Sequence, residues 1–161
     1  MITYYRVDER VIHGQTLNVM TRRYPCDAII VVDTEIAGDP YFNSIFKGMT
    51  NIKVLIFNVE VALRKLPEAQ RSEKNYFVIF KHPTTVAELI EGGFNLTLPE
   101  IWIGPQISRD GTTTFFPTMC LTQDEIKAMD VIQEQNVTIW MQSILNQTPV
   151  TWPDAKKKIG L

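Results

Sequence analysis

Residues 6–15 read Arg-Val-Asp-Glu-Arg-Val-Ile-His-Gly-Gln. Eight of these positions, Arg6 to His13, hold two arginines, two carboxylates and one of the chain's two histidines. A histidine ring with one unprotonated nitrogen is a nucleophile near neutral pH. Arginine presents planar donors that match phosphate oxygens. Asp8 is placed to orient the His13 imidazole or to hold an arginine. Gly14 removes a side chain where a bulky group must approach. Ordinary ion pairs of Arg6 and Arg10 with Asp8 and Glu9 are the competing reading of the same residues.

The elements that must position this cluster follow from the apolar pattern. Strands are expected over 2–7, 28–32, 53–57, 76–80, 100–103 and 137–142, and a β-prone stretch over 112–116 follows an Arg109-Asp110-Gly111 turn. The run at 28–32 is continuously apolar, as in a strand buried on both faces. Helices are expected over 13–23, from Asp39-Pro40 to about Lys47, over 59–66, from Thr85 to Gly92-Gly93, and from Thr122 to about Gln135. Asp39 then Pro40 is a good cap and first position. Thr85 with Glu88, and Thr122 with Glu125, have capping-box spacing. Residues 68–75 read as a polar connection and about 143–161 as a weakly structured tail.

Alternating strands and helices predict an α/β fold, a single domain over residues 1–161 with an open, mainly parallel sheet and helices on both faces. Such sheets bind ligands beyond the carboxyl ends of their strands. The 6–15 cluster falls there, after the first strand. A helix starting near His13 would add free backbone N–H groups and a positive dipole end.

Composition bounds the partners. The chain has 161 residues, 45% hydrophobic and 21% charged, with net charge −2. That balance argues against nucleic acid bound by bulk charge. Apolar runs are too short to cross a bilayer, and no signal-peptide pattern opens the chain. Cys26 and Cys120 have no metal-ligand spacing, and no metal or cofactor is expected. A soluble, cytoplasmic protein is the default. The absence of GxxxxGK[ST] argues against direct use of ATP.

The stretch RVDERVIHGQ closely resembles the signature R-[IV]-D-x-R-[LIV]-[IV]-H-G-Q of the IIB components of the mannose/fructose/sorbose family of the bacterial sugar phosphotransferase system (PTS). AIIVVDTEIAGDP and YFVIFKHPTTVAELIEGG are similar to later parts of the family pattern. The resemblance implies a phosphoryl carrier, a phosphotransferase with an open, mainly parallel sheet. His13 would accept a phosphoryl group on Nδ1 from a phosphohistidine of the IIA component. It would then pass the group to a sugar held by the membrane components IIC and IID, with the carrier peripheral to the transporter. Arg10 matches the arginine that helps hold the phosphoryl group. A regulatory protein of the same fold, docking PTS partners without turnover, is the alternative.

Supporting positions are Arg6, Asp8, Gly14 and Gln15 in the signature, and Lys81, Thr84 and Thr85 after the fourth strand. In the family's sheet the first and fourth strands are neighbours, which would bring these two loops together. Arg6, Arg10, Lys81 and Arg109 are the cations expected to face an anionic partner. Three residues depart from the family pattern. His82 matches no family histidine, Trp102 replaces a small polar residue, and Pro105 lacks a backbone N–H where the family tends to carry glycine.

Overall fold

The computed structural model describes residues 1–14 and 19–161. Six strands run parallel in one sheet: β1 (Ile2–Val7), β2 (Ala28–Val32), β3 (Lys53–Phe57), β4 (Tyr76–Phe80), β5 (Glu100–Ile103) and β8 (Thr138–Met141). Two-residue β9 (Val150–Thr151) adds antiparallel to β8, giving the order β3-β2-β4-β1-β5-β8-β9. The remaining strands, β6 (Thr113–Phe116) and β7 (Met119–Leu121), form a separate antiparallel hairpin. The expected α/β class and the β1–β4 neighbourhood are both present.

All five residues of β2 are buried, as its continuous apolar run requires. Apolar side chains pack on both faces of the sheet. One core gathers Val7, Leu66, Phe80, Leu89, Ile103 and Trp152, and the other gathers Tyr4, Val11, Ile12, Ile29, Phe46 and Phe77. Short α1 (Thr21–Arg23) lies at the end of the helix expected over 13–23, whose middle, residues 15–18 with Gln15 among them, lies outside the described residues. No helix among the described residues is long and apolar enough to cross a membrane.

Capping chemistry sets several boundaries. Asp33 caps the short α2 (Thr34–Gly38), an element absent from the sequence reading, by accepting from the Ile36 N–H at 2.9 Å. Asp39 caps α3 (Pro40–Gly48) as expected, accepting from the Tyr41 N–H at 2.8 Å. The expected capping box starts α6 (Gln123–Gln133). Thr122 Oγ1 accepts from the Glu125 N–H at 3.2 Å, and Glu125 Oε2 accepts from the Thr122 N–H at 2.8 Å.

Three expectations are corrected. The helix expected to end at Leu66 is α4 (Val59–Gln70) and contains Pro67. Burial of Ala62, Leu66 and Ala69 along one stripe carries the helix through the missing N–H. The helix expected to begin with a Thr85–Glu88 box is α5 (Pro83–Glu91), with His82 at the cap position. Pro83 is pre-set for the first helical position. Thr85 therefore lies inside the first turn, its N–H donating to the His82 carbonyl at 3.2 Å.

The third correction concerns the tail. Residues 150–159 form β9 and α7 (Trp152–Ile159). Trp152 is 0% exposed, stacks obliquely on Phe115 at 5.1 Å, and donates its indole N–H to Asp130 Oδ1 at 2.8 Å. Thr151 caps the helix, and Gly160, at φ +78°, ends it in a left-handed conformation. The run Lys156–Lys158 lies in the last turn, where cations complement the helix dipole. The polar composition of α7 hid a single aromatic anchor. Trp152→Ala is expected to lower unfolding free energy by about 3–5 kcal/mol, the usual cost of emptying such a site. Denaturant unfolding checks this, and a loss below about 1 kcal/mol would return the segment to a dispensable tail.

Candidate functional site

The first loop is built on a buried carboxylate. Arg6, near the end of β1, is 1% exposed, and Asp8 just beyond it is 0% exposed. Asp8 Oδ2 accepts from Arg6 Nε at 3.1 Å and Arg6 Nη2 at 3.0 Å. Its other oxygen, Oδ1, accepts from the Arg10 backbone N–H at 3.1 Å and lies 3.5 Å from Arg10 Nε. His13 Nε2 is 3.2 Å from Oδ2. One carboxylate thus gathers Arg6, Arg10 and His13.

Burial pushes the Asp8 carboxyl upward, but the His13 hydrogen bond and the Arg6, His13 and Arg10 charges outweigh it. The carboxyl therefore lies below its usual range. An ionised carboxylate only accepts hydrogen bonds. His13 Nε2 is therefore the donor in this contact, and a ring carrying a single hydrogen would have its lone pair on Nδ1. The ring is part-buried, whereas Arg10 is 44% exposed.

The backbone is shaped to permit this. The Asp8 N–H donates to the Phe80 carbonyl at 2.9 Å, and the Glu9 N–H donates to the Pro105 carbonyl at 3.2 Å. These bonds extend the β4-β1-β5 ladder past the strand ends. Val11 then adopts φ +56°, a left-handed conformation costly for a β-branched residue, about 1–3 kcal/mol. Burial of the Val11 side chain and a 2.9 Å bond from its N–H to the Asp8 carbonyl hold it there. The turn brings His13 back to Asp8.

Gly104 is the counterpart from β5. A Cβ on it would stand 2.8 Å from both Arg6 Cζ and Asp8 Oδ2. The pair occupies the space a side chain would need. Pro105 lacks an N–H, but its carbonyl accepts from Glu9 and, at 3.0 Å, from Gln106 Nε2. Trp102 is half-buried, donating to Glu100 Oε1 at 3.1 Å and stacking beside Trp140 at 5.9 Å.

The other expected positions divide. A Cβ on Gly14 would meet no described residue within 4 Å. The Lys81 backbone lies beside the loop, but Lys81 Nζ pairs with Glu35 Oε2 at 3.3 Å, toward α2. Exposed Thr84 and half-buried Thr85 occupy the first turn of α5. Arg6 is corrected as a surface cation, because its guanidinium is sealed against Asp8 and Gly104. Gln106 was missed by the sequence reading, and Glu125 was read only as a helix cap. Both are buried and polar, and Gln106 ties the two flanking loops by donating to the Lys81 carbonyl at 3.1 Å. Among the described residues no group of three or more His, Cys, Asp or Glu is positioned to hold a metal ion.

Comparison with known proteins gives concordant results. The profile of the PTS system sorbose subfamily IIB component matches residues 2–159. The chain is 28% identical over 141 residues to the sorbose-specific EIIB component of Lacticaseibacillus casei, covering 86% of this chain and 85% of that protein. It is 24% identical over 156 residues to the mannose-specific EIIAB component of Escherichia coli, covering 96% of this chain but only 48% of that longer protein. The fold superposes on the IIBSor domain of the sorbose permease of Klebsiella pneumoniae with TM-score 0.88 at 21% identity, covering 98% and 97% of the two chains. For manxB of Thermoanaerobacter tengcongensis the TM-score is 0.86 at 25% identity, covering 98% and 96%.

The requirement for glycine beneath the ion pair is directly testable. Gly104→Ala should destabilise the fold by about 1–3 kcal/mol, the cost of overpacking a closed site. It should also displace His13, visible as a changed ring chemical shift. Unchanged stability and an unchanged His13 spectrum would mean the pair yields without cost.

Proposed function

The chain belongs to the sorbose-subfamily IIB components of the PTS, phosphoryl carriers and phosphotransferases of sugar transport, and we propose that it carries its phosphoryl group on His13 Nδ1. The observation behind this reading is the 3.2 Å contact of His13 Nε2 with the fully buried, ionised Asp8. That contact supports a hydrogen on Nε2 and a nucleophilic lone pair on Nδ1, as triad-like orientation does elsewhere.

The donor is a phosphohistidine of a IIA component. The Nδ1 lone pair attacks its phosphorus as the donor's P–N bond breaks, and the donor imidazole keeps that electron pair. A hydroxyl of the sugar, held by IIC and IID, then attacks the same phosphorus. An O–P bond forms, the His13 N–P bond breaks with its electron pair returning to Nδ1, and the hydroxyl proton passes to water. Both steps need in-line positioning and charge stabilisation more than covalent help.

Asp8 supports the ring as it gains charge on phosphorylation, and Arg6 keeps Asp8 ionised. Exposed Arg10, tethered by its backbone N–H to Asp8, supplies the guanidinium for the phosphoryl oxygens. Lys81, Thr84 and Thr85 flank the same strand ends on the partner side. Gln15 completes the signature after Gly14. The protein works in the cytoplasm, peripheral to its membrane partners.

Purified protein incubated with phosphorylated IIA should gain one acid-labile phosphoryl group. His13→Ala should gain none while keeping its fold, and His82→Ala should still take label. Label mapped to His82 or to a serine would overturn the assignment. A protein that binds phosphorylated IIA but takes no label would be the docking protein instead. In the same transfer assay Arg10→Ala should be slower by on the order of 10²-fold, the usual cost of losing one such donor. Arg10→Lys should fall between, since it keeps charge without the planar fork. Equal rates for wild type and Arg10→Ala would remove Arg10 from the site.

A further inference from the structure

A second array of charges lies behind the first loop, and Asp8 takes no part in it. Glu9 Oε2 accepts from the Ile107 N–H at 2.6 Å and lies 3.5 Å from Arg109 Nη1. Arg109 Nη2 makes a close ion pair with Glu125 Oε1, and Arg109 Nη1 also donates to the Ile107 carbonyl at 3.2 Å. Glu125 Oε1 is shared, at 3.4 Å, with His82 Nδ1. The order Glu9–Arg109–Glu125–His82 therefore connects the phosphoryl-accepting loop, the β5–β6 connection, the start of α6 and the start of α5.

We propose that Arg109 is a positioning residue for phosphoryl transfer, and that His82 makes this positioning depend on pH by sharing the Glu125 carboxylate. The proposal rests on the reading of His13 as phosphoryl acceptor. Glu9 immediately precedes Arg10, and its carboxylate ties the loop to the β5–β6 connection. The capping box holds Glu125 Oε2 through the Thr122 N–H, so Glu125 is a fixed anchor for Arg109. Arg109 can meet both carboxylates because its guanidinium has several donors in one plane.

The hydrogen on His82 is assigned by its neighbours. Gln106 Nε2 donates to the Lys81 and Pro105 carbonyls, so Gln106 Oε1, 3.0 Å from His82 Nδ1, accepts. Nδ1 carries a hydrogen, and Nε2 is the nitrogen that titrates. The hydrogen bond to Glu125 raises the His82 pKa above its ordinary value. Burial opposes it, the Gln106 bond and Glu125 charge assist, and Lys81 opposes weakly. Glu125 lies below its ordinary value, because the His82 and Thr122 hydrogen bonds and the Arg109 and His82 charges outweigh its burial.

With His82 protonated, two cations face Glu9 and Glu125. When His82 loses its proton, Arg109 becomes the only charged partner of Glu125 within the array and is drawn toward it. The looser contact, Arg109 to Glu9, is the one weakened. A raised folded-state pKa also means that this array's stabilisation is full below the ordinary histidine value of 6.5 and is lost as pH rises through the folded value. Transfer should therefore slow on the alkaline side.

The test uses the full chain in two independent measurements. In unphosphorylated protein, the Glu9 and Ile107 amide signals should shift with pH in step with the His82 ring, and should lose that dependence in Arg109→Met. This readout needs no phosphoryl donor, so it stands or falls apart from the His13 assignment. In transfer from phosphorylated IIA, Arg109→Met should be slower at every pH by about tenfold or more, since small misplacements near reacting atoms cost up to about 10²-fold. Arg109→Lys, which keeps the charge but cannot span both carboxylates, should recover part of the rate and covers the case in which Arg109→Met does not fold. His82→Gln, which keeps a hydrogen-bond donor without titrating, should flatten the alkaline decline. Amides that do not follow the His82 titration would overturn the proposal. So would a wild-type transfer rate in Arg109→Met, or an unchanged pH profile in His82→Gln.

Discussion

Asp8 is fully buried, and an unpaired carboxylate in that position would be expelled or protonated. It stays ionised because Arg6, Arg10 and His13 surround it, and each of those residues is in turn placed by it. Removing either member of a buried Asp–Arg pair costs about 3–5 kcal/mol, because the survivor is left as an uncompensated charge. Much of the surrounding architecture can be read as accommodation of this cluster. Gly104 lacks a side chain where Arg6 and Asp8 cross, and Val11 takes a strained turn that returns the chain to them. Backbone bonds from Asp8 and Glu9 to β4 and the β5 end lock the loop.

The parallel sheet supplies the constraint that makes the site possible. Strands β4, β1 and β5 are adjacent, so the loops beyond their carboxyl ends converge on one edge. His13 comes from one loop, the glycine beneath the Arg6–Asp8 pair from a second, and the His82–Gln106 contact joins the second to a third. Residues distant in sequence, such as Glu9 and Arg109, meet only because of this convergence. The chemistry assigned to His13 thus depends on the strand order as much as on the ten-residue signature.

The fold was largely legible because local signals agree with the tertiary arrangement. Apolar β-branched runs gave the parallel strands, and Asp39-Pro40 and Thr122–Glu125 marked helix starts by mechanisms that hold within a few residues. Where the reading stopped early, at Pro67, a buried stripe overrode a local breaker. Where it placed a cap at Thr85, Pro83 had already begun the helix. The C-terminal segment was hidden because its apolar face is short, Trp152, Ala155 and Ile159 among prolines and lysines, and Trp152 is its main anchor.

The residue types and order in RVDERVIHGQ were sufficient to nominate His13 and Arg10, since nucleophile, carboxylate and guanidinium fall within one loop. Residue types alone do not distribute the roles among them, although the family resemblance implies the phosphoryl contact for Arg10 and support for Arg6. Arg6 and Arg10 are equivalent as letters, yet burial makes Arg6 a support for Asp8, while the Arg10 side chain stays exposed beside it. The contact of His13 Nε2 with Asp8 follows a left-handed turn at Val11, which no propensity predicts for a β-branched residue. Gly104, Gln106, Arg109 and Glu125 join the site only through long-range packing, because their partners are supplied by other strands' loops and by α6. Local chemistry is written in consecutive residues, whereas burial, tautomer and charge sharing arise where separate parts of the chain meet.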